Sequence, residues 1–269
     1  MAGNIGQALL WAALGCGFTW LMTTAGAATV FFFRKDREIT HRIFLGFAAG
    51  VMIAASVWSL LNPAIEQAEE LGQPGWIPAA GGFLLGVAFL MMLDTFLPHL
   101  HPEGEQPEGV KTSWKRTTLL VSAVTLHNIP EGMSVGLLFA MAAQSTGAEA
   151  TAYLGMATAL AIGMGLQNFP EGAAISLPLR REGMGRGKAF LLGSLSGIVE
   201  PIFGILVVLV SSQITPFMPW MLAFAAGAMI YVVVEELIPE AHFGEHSNIG
   251  TLGLIAGFVI MMVLDVALG

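Results

Sequence analysis

All eleven lysines and arginines of this chain sit in three short segments. Arg34, Lys35, Arg37 and Arg42 form the first, Lys111, Lys115 and Arg116 the second, and Arg180, Arg181, Arg186 and Lys188 the third. The stretches between and beside them are apolar for about 20 residues or more, enough to cross ~30 Å of hydrocarbon as helices. Backbone in hydrocarbon must satisfy its own hydrogen bonds, and continuous runs of this length do so as helices. Composition agrees. Only 11% of the 269 residues are charged and 55% are hydrophobic, against about 25% charged in soluble domains. Mean hydropathy is +0.73. The chain therefore reads as an all-α polytopic membrane protein, with residues 1–269 forming one transmembrane domain.

Eight spans emerge, at 5–33, 43–61, 76–97, 117–142, 150–179, 189–211, 217–239 and 248–268. With eight spans every basic residue falls on one side, which the positive-inside rule makes cytoplasmic. Both termini are then outside the cytoplasm. The outer connections carry Glu66, Glu69, Glu70 and Glu149 but no lysine or arginine. Ala25-Gly26-Ala27 resembles a cleavage site, but the basic leading region of a signal peptide is missing. The first run is accordingly counted as a retained span.

The chain repeats itself. Leu126-His127-Asn128-Ile129-Pro130-Glu131-Gly132 returns as Leu166-Gln167-Asn168-Phe169-Pro170-Glu171-Gly172, identical at five of seven positions. Phe47-Ala48-Ala49-Gly50-Val51-Met52-Ile53 returns as Phe224-Ala225-Ala226-Gly227-Ala228-Met229-Ile230, identical at six of seven. Gly86, Met91, Leu93 and Asp94 match Gly257, Met262, Leu264 and Asp265, and spans one and six align more weakly through Gly15/Gly193 and Gly26/Gly204. Spans 1–3 thus resemble spans 6–8. The offset of five spans gives the copies opposite orientation, and spans four and five are likewise antiparallel. Inverted repeats with interrupted helices at their interface mark secondary transporters.

Glu131, Glu171 and Glu200 fall near the middle of their spans. A charge at mid-bilayer costs roughly 2.5–3.5 kcal/mol, so three isolated carboxylates would cost on the order of 10 kcal/mol. A shared divalent cation offsets that cost. His127, Asn128 and Glu131 lie on one helical face by their spacing, and Gln167, Asn168 and Glu171 repeat it. Pro130 and Pro170 free the carbonyls of Leu126 and Leu166, and Glu200-Pro201 again sets a carboxylate beside a helix breaker. Imidazole, carboxylate and amide oxygen suit zinc, iron or manganese. The bland alternative is a kinked helix pair whose polar residues bond one another.

Other features carry less. The single cysteine, Cys16, excludes a disulfide framework and a multi-thiolate site, and the lack of thiolates argues against copper(I). No nucleic-acid-binding pattern appears, and no G-x-x-x-x-G-K-[ST] phosphate loop is present. Glu235 and Glu236 end span seven and line an exit or are simply solvated at the interface. His99, His101, Glu103, Glu105 and Glu108 make a His/acid-rich loop, either a metal-capturing segment or an ordinary solvated one. His242-Phe243-Gly244-Glu245-His246 fits the H-x-x-E-H pattern, but in a short loop with an internal glycine it lacks the helix that protease chemistry needs.

At the two proline motifs the sequence resembles the ZIP family (Zrt/Irt-like proteins), and within it the GufA-like bacterial branch. The resemblance extends over all eight spans, including Phe47–Ile53, Glu200-Pro201 and Glu236-Leu237-Ile238-Pro239-Glu240. It implies a 3+2+3 bundle of eight transmembrane helices, often a homodimer, in the bacterial plasma (inner) membrane, taking divalent metal into the cytoplasm. It implies a binuclear site. His127, Glu131, Gln167 and Glu171 match its transport ligands; Asn128, Asn168 and Glu200 match the second site, with Glu131 and Glu171 bridging. The family pattern often carries Asp at Asn168, so the second site here is expected to be weaker or differently selective. Met52, Ser59 and Glu66 align with an outer entry route and Glu236 with an inner gate. Family members move a four-span unit against a static scaffold. The cargo expected is zinc, with cadmium, iron and manganese as further candidates, and the chain is expected not to be an enzyme. The alternatives from other classes are a metal-gated channel or sensor and an intramembrane metalloenzyme.

Overall fold

The computed structural model describes residues 5–33, 38–96, 116–211, 213–242 and 248–268. Among them the regular structure is entirely helical. Helix α1 is Ile5–Ala27, closed by a 3-10 turn Ala28–Phe31. Helix α2 runs Glu38–Ala55, passes through a π turn Ser56–Leu61 and continues as Asn62–Glu70. Helix α3 is Trp76–Phe96, α4 is Arg116–Gln144 and α5 is Gly147–Arg181. Helix α6 is broken into α6a, Arg186–Ser196, and α6b, Val199–Ser211. Helix α7 runs Met218–Val232, through a π turn Val233–Leu237, to Ile238–His242. Helix α8 is Ile249–Leu268.

Six of these stretches are long and apolar enough to cross a membrane: Ile5–Phe31, Ile39–Glu70, Trp76–Phe96, Arg186–Ser211, Thr215–Ala241 and Ile249–Leu268. The two left out, α4 and α5, carry the proline motifs. Polar side chains lower their hydropathy, and neighbouring helices bury those side chains. Several helices outrun the hydropathy windows because their ends are polar yet still helical. The sequence reading expected the interruptions at Pro130 and Pro170, but both prolines lie inside continuous helices. A proline deletes one backbone donor without forcing the chain out of helical angles, so a packed helix can run through it. Among the described residues a break does fall at Gly197-Ile198 in α6, just before the helix breaker Glu200-Pro201 read from the sequence.

Helices α4 and α5 pack on each other at the centre. Helix α1 packs on α5 and α6b on α4; α2 pairs with α8 and α7 with α3. Glycines set these distances. Gly257 leaves room only for the Phe47 carbonyl, as Gly86 does for that of Phe224; Gly253 meets Ile43 as Gly82 meets Trp220. At the centre Gly132 rests on the Glu200 backbone and Gly172 on that of Thr23. Such close approach of small residues is how helices associate in lipid, where apolar burial gives little drive.

The spacing from Phe47 to Phe224 also takes the first π turn onto the second and Thr23 onto Glu200. This corrects the alignment of α1 with α6 through Gly15/Gly193 and Gly26/Gly204, which is one residue out of register with the contacts. Glycines recur in membrane helices for packing, so a match of glycines alone does not fix register.

Candidate metal centre

The proline motifs face each other across the α4–α5 contact. His127, Asn128, Glu131, Gln167, Asn168 and Glu200 are all at most 5% exposed, and Glu171 is half-buried. Amide groups link the acids into one chain. Gln167 Nε2 donates to Glu131 Oε2 at 2.9 Å and to Asn168 Oδ1 at 2.6 Å. Asn168 Nδ2 donates to Glu200 Oε2 at 2.8 Å and to the Thr19 carbonyl at 3.3 Å. Asn128 Nδ2 donates to the Ser196 carbonyl, also at 3.3 Å. The two asparagines thus make the same bond, because the Phe47-to-Phe224 spacing takes Thr19 to Ser196.

These bonds use the amide protons and leave oxygens over. Glu171 Oε2, Glu200 Oε1 and Asn128 Oδ1 are buried with no hydrogen-bond partner. A buried acceptor without a donor costs about 1–3 kcal/mol, more when charged. A cation is the ligand that such a surplus of acceptors suits. Among the described residues, however, no three His, Cys, Asp or Glu side chains converge at metal-binding reach. The amides stand between the acids.

A cavity leads to this cluster. It encloses roughly 860 Å³ including its open mouth, and His127, Glu131, Gln167 and Glu171 form its floor together with Met52 and Pro170. Its mouth is formed by His41 and Phe44 at the start of α2, Pro178 at the end of α5 and Glu240 at the end of α7. That is the end of the bundle bearing Arg42, Arg180, Arg181, Arg186 and Lys188. Asn128, Asn168 and Glu200 do not line the cavity and lie behind its floor, against α1 and α6.

The remaining expected residues divide. Glu236 lines the cavity, and its Oε1 lies 2.8 Å from His127 Nε2. Its neighbour Glu235 is exposed on the other side of α7. Ser59 is wholly buried and donates to Asp265 Oδ1 at 2.5 Å, away from the cavity lining. Glu66 is exposed on the far extension of α2. His99, His101 and residues 243–247 lie outside the described residues. Sequence reasoning missed Thr19 and Thr23 of α1, and it singled out neither His41 nor Asp265 as part of a route. The repeat itself held the signal for the threonines, since its correct register pairs Thr23 with Glu200.

The fold and this centre together define a class: an all-helical membrane protein with a buried carboxylate and amide cluster at the end of a cavity. Comparison narrows it. Residues 101–265 match the family model described as ZIP Zinc transporter. The chain is 39% identical to human Zinc transporter ZIP11, with 96% of this chain and 97% of that one covered. It is 39% identical to Zinc transporter ZIPB of Bordetella bronchiseptica, over 99% and 82% of the two chains. It is also 39% identical to Zinc transporter GufA of Myxococcus xanthus, over 84% and 86%. The chain belongs to the ZIP zinc transporter family. Those relatives are named as transporters, not enzymes.

Proposed function

We propose that this protein carries divalent metal, zinc first, across a bacterial plasma membrane into the cytoplasm by alternating access. The observation that carries this reading is the cavity. It joins four side chains of zinc-suited chemistry, His127, Glu131, Gln167 and Glu171, to the basic end of the bundle. By the positive-inside rule that end faces the cytoplasm, so both termini lie outside and the conformation is open inward. Zinc as substrate would displace the Gln167 amide from Glu131 and draw His127 away from Glu236. Glu236 then offers the departing ion its first oxygen on the way out.

The transporting unit is a 3+2+3 arrangement in which spans 1–3 and 6–8 are inverted copies around α4 and α5. The exchange of α1 with α6, α2 with α7 and α3 with α8 preserves the principal helix contacts, which supports this reading. The best-packed groups are α1 with α5 and α4 with α6b on one hand, and α2 with α8 and α3 with α7 on the other. A four-helix unit of α1, α4, α5 and α6 can therefore move against the rest, in the elevator-like manner. Asn128, Asn168 and Glu200 form a second, weaker cation position behind the first. Cadmium, iron and manganese share the donor preferences closely enough to compete. A homodimer is the assembly the family resemblance suggests.

The test is saturable zinc uptake into proteoliposomes. Glu131→Ala and Glu171→Ala are each expected to abolish it while the purified proteins keep their helical spectra. Unchanged flux in both variants would sink the site. Flux that never saturates and follows only the gradient would favour a channel.

A further inference from the structure

The cavity that reaches the metal centre is wider and more apolar than an ion path needs. It encloses roughly 860 Å³ including its open mouth. Pockets that hold small organic molecules span about 300–1,000 Å³ and are mostly apolar with a few polar groups. Phe44, Leu45, Ala48, Val124, Ile175 and Val232 supply apolar wall here. A hydrated ion gains nothing from such a wall, whereas a hydrocarbon segment does. The charged lining is of one sign. Glu131, Glu171, Glu236 and Glu240 line the cavity with two imidazoles, and among the described residues no lysine or arginine does. Arg42, Arg180 and Arg181 belong to the same end of the bundle but stay out of the lining.

These carboxylates are spread along the cavity. Glu131 and Glu171 are on its floor, and Glu171 Oε2 is buried with no hydrogen-bond partner. Glu236 lies against His127 at 2.8 Å. Glu240 is at the mouth, four residues further along α7, or ~6 Å of helix. Glu131 is 3% exposed, and Glu236 and Glu240 are 8% exposed each. Carboxylates so far out of water call for cations at close range. A single ion on the floor serves Glu131 and Glu171 but leaves the mouth unserved. The lining therefore suits a ligand with two or more positive charges set along a line and hydrocarbon between them.

We propose that this cavity, when free of metal, binds a linear aliphatic polyamine. One ammonium group sits against Glu131 and Glu171 and another against Glu240, each donating charge-assisted hydrogen bonds. The methylene chain between them lies on Leu45, Ala48 and Val232, as lysine stems lie on apolar surface. A monoamine serves one end only. Magnesium carries the charge but holds its waters and gains nothing from the walls. A bound polyamine fills the inward-open conformation and competes with zinc from the cytoplasmic side, so organic polycations slow uptake. The site depends on the metal reading of Glu131 and Glu171 only for that competition.

The experiment uses chelator-treated full-length protein in phosphatidylcholine nanodiscs, whose lipid offers a polyamine no net charge. Calorimetric titration compares spermidine, putrescine, butylamine and magnesium chloride at fixed ionic strength, with empty nanodiscs subtracted. Expected is one saturable spermidine per chain, bound at least about tenfold more tightly than butylamine, with putrescine between them. Glu171→Gln should weaken all three amines, and Glu240→Gln should narrow the gap between spermidine and butylamine. A readout that leaves the acids intact is labelling of Ala48→Cys on a Cys16→Ser background, which spermidine should slow and butylamine should not. Equal affinity for spermidine and butylamine, displacement by magnesium at equal charge, or labelling unchanged by spermidine overturns the proposal. Zinc that binds without displacing spermidine overturns it too and leaves the metal centre standing. No bound zinc, with spermidine binding that still responds to both variants, sinks the metal reading and leaves the polyamine site.

Discussion

Gly132 and Gly172 decide how near the centre's helices can come. A Cβ on Gly132 would meet the Glu200 backbone, and one on Gly172 the backbone of Thr23. Backbone cannot swing aside as a flexible side chain can, so either alanine must push a helix away. Overpacking of this kind costs about 1–3 kcal/mol. Gly132→Ala and Gly172→Ala are each expected to lower Tm measurably, whereas Gly187→Ala, with nothing near its missing Cβ, is expected to leave it unchanged. Equal effects at all three would show that helix propensity, not contact, decides the outcome. The two motif glycines were legible as small residues but not as contact points. The acids and amides were legible because polar side chains in an apolar run must have a reason to be there. The threonines of α1 were not, because a hydroxyl can bond back to its own helix and so costs the membrane little. Thr19 and Thr23 do so, donating to the carbonyls of Cys16 and Thr19.

At the scale of elements, the departure from regular α-helix in α7 carries Glu236 to the cavity. The π turns Ser56–Leu61 and Val233–Leu237 occupy matching places in α2 and α7. A π turn inserts one residue and so rotates the helix after it. Within the second of the two turns Glu236 meets His127, while Glu235, one position earlier, looks outward. The residue pattern alone treats the two glutamates as a pair, and only the family resemblance singles out Glu236. The same register takes Glu236 onto Ser59, which instead meets Asp265. A hydrogen bond to a charged group contributes about 1.5–3 kcal/mol, and tenfold in rate corresponds to about 1.4 kcal/mol. Glu236→Ala is therefore expected to change the initial rate of zinc uptake by at least about tenfold, and Glu235→Ala by less than about twofold. Equal effects would mean that both residues act only through the charge of the inner surface. Breaks in regular helix were foreseen at the prolines: α4 and α5 run on through Pro130 and Pro170, whereas α6 does break, at Gly197-Ile198 beside Glu200-Pro201.

The whole molecule is most exposed to test through its two ends. Ala48 of α2 lines the open cavity, and its repeat partner Ala225 of α7 is wholly buried. The two occupy equivalent places in the repeated stretch, and on the proposed inverted-repeat reading a conformation that opens one end buries the other. Sequence alone yields that equivalence but not which end is open, because both conformations satisfy the same pattern of apolar runs and basic connections. On a Cys16→Ser background, which removes the one native thiol, Ala48→Cys is expected to react with a membrane-impermeant maleimide in inside-out vesicles and not in right-side-out ones. Saturating zinc should slow that reaction, since cargo on Glu131 and Glu171 stands at the floor of the same cavity. Ala225→Cys should stay unreactive from both sides while the inward conformation prevails. Any condition that populates the outward one should expose it from the outside as Ala48→Cys becomes protected. Labelling of Ala48→Cys from the outside alone would reverse the orientation drawn from the basic residues. Simultaneous labelling of both, each from its own side, would point to a pore open at both ends and so to a channel. Reciprocal protection is the behaviour that the proposed pair of inverted copies around one centre would require.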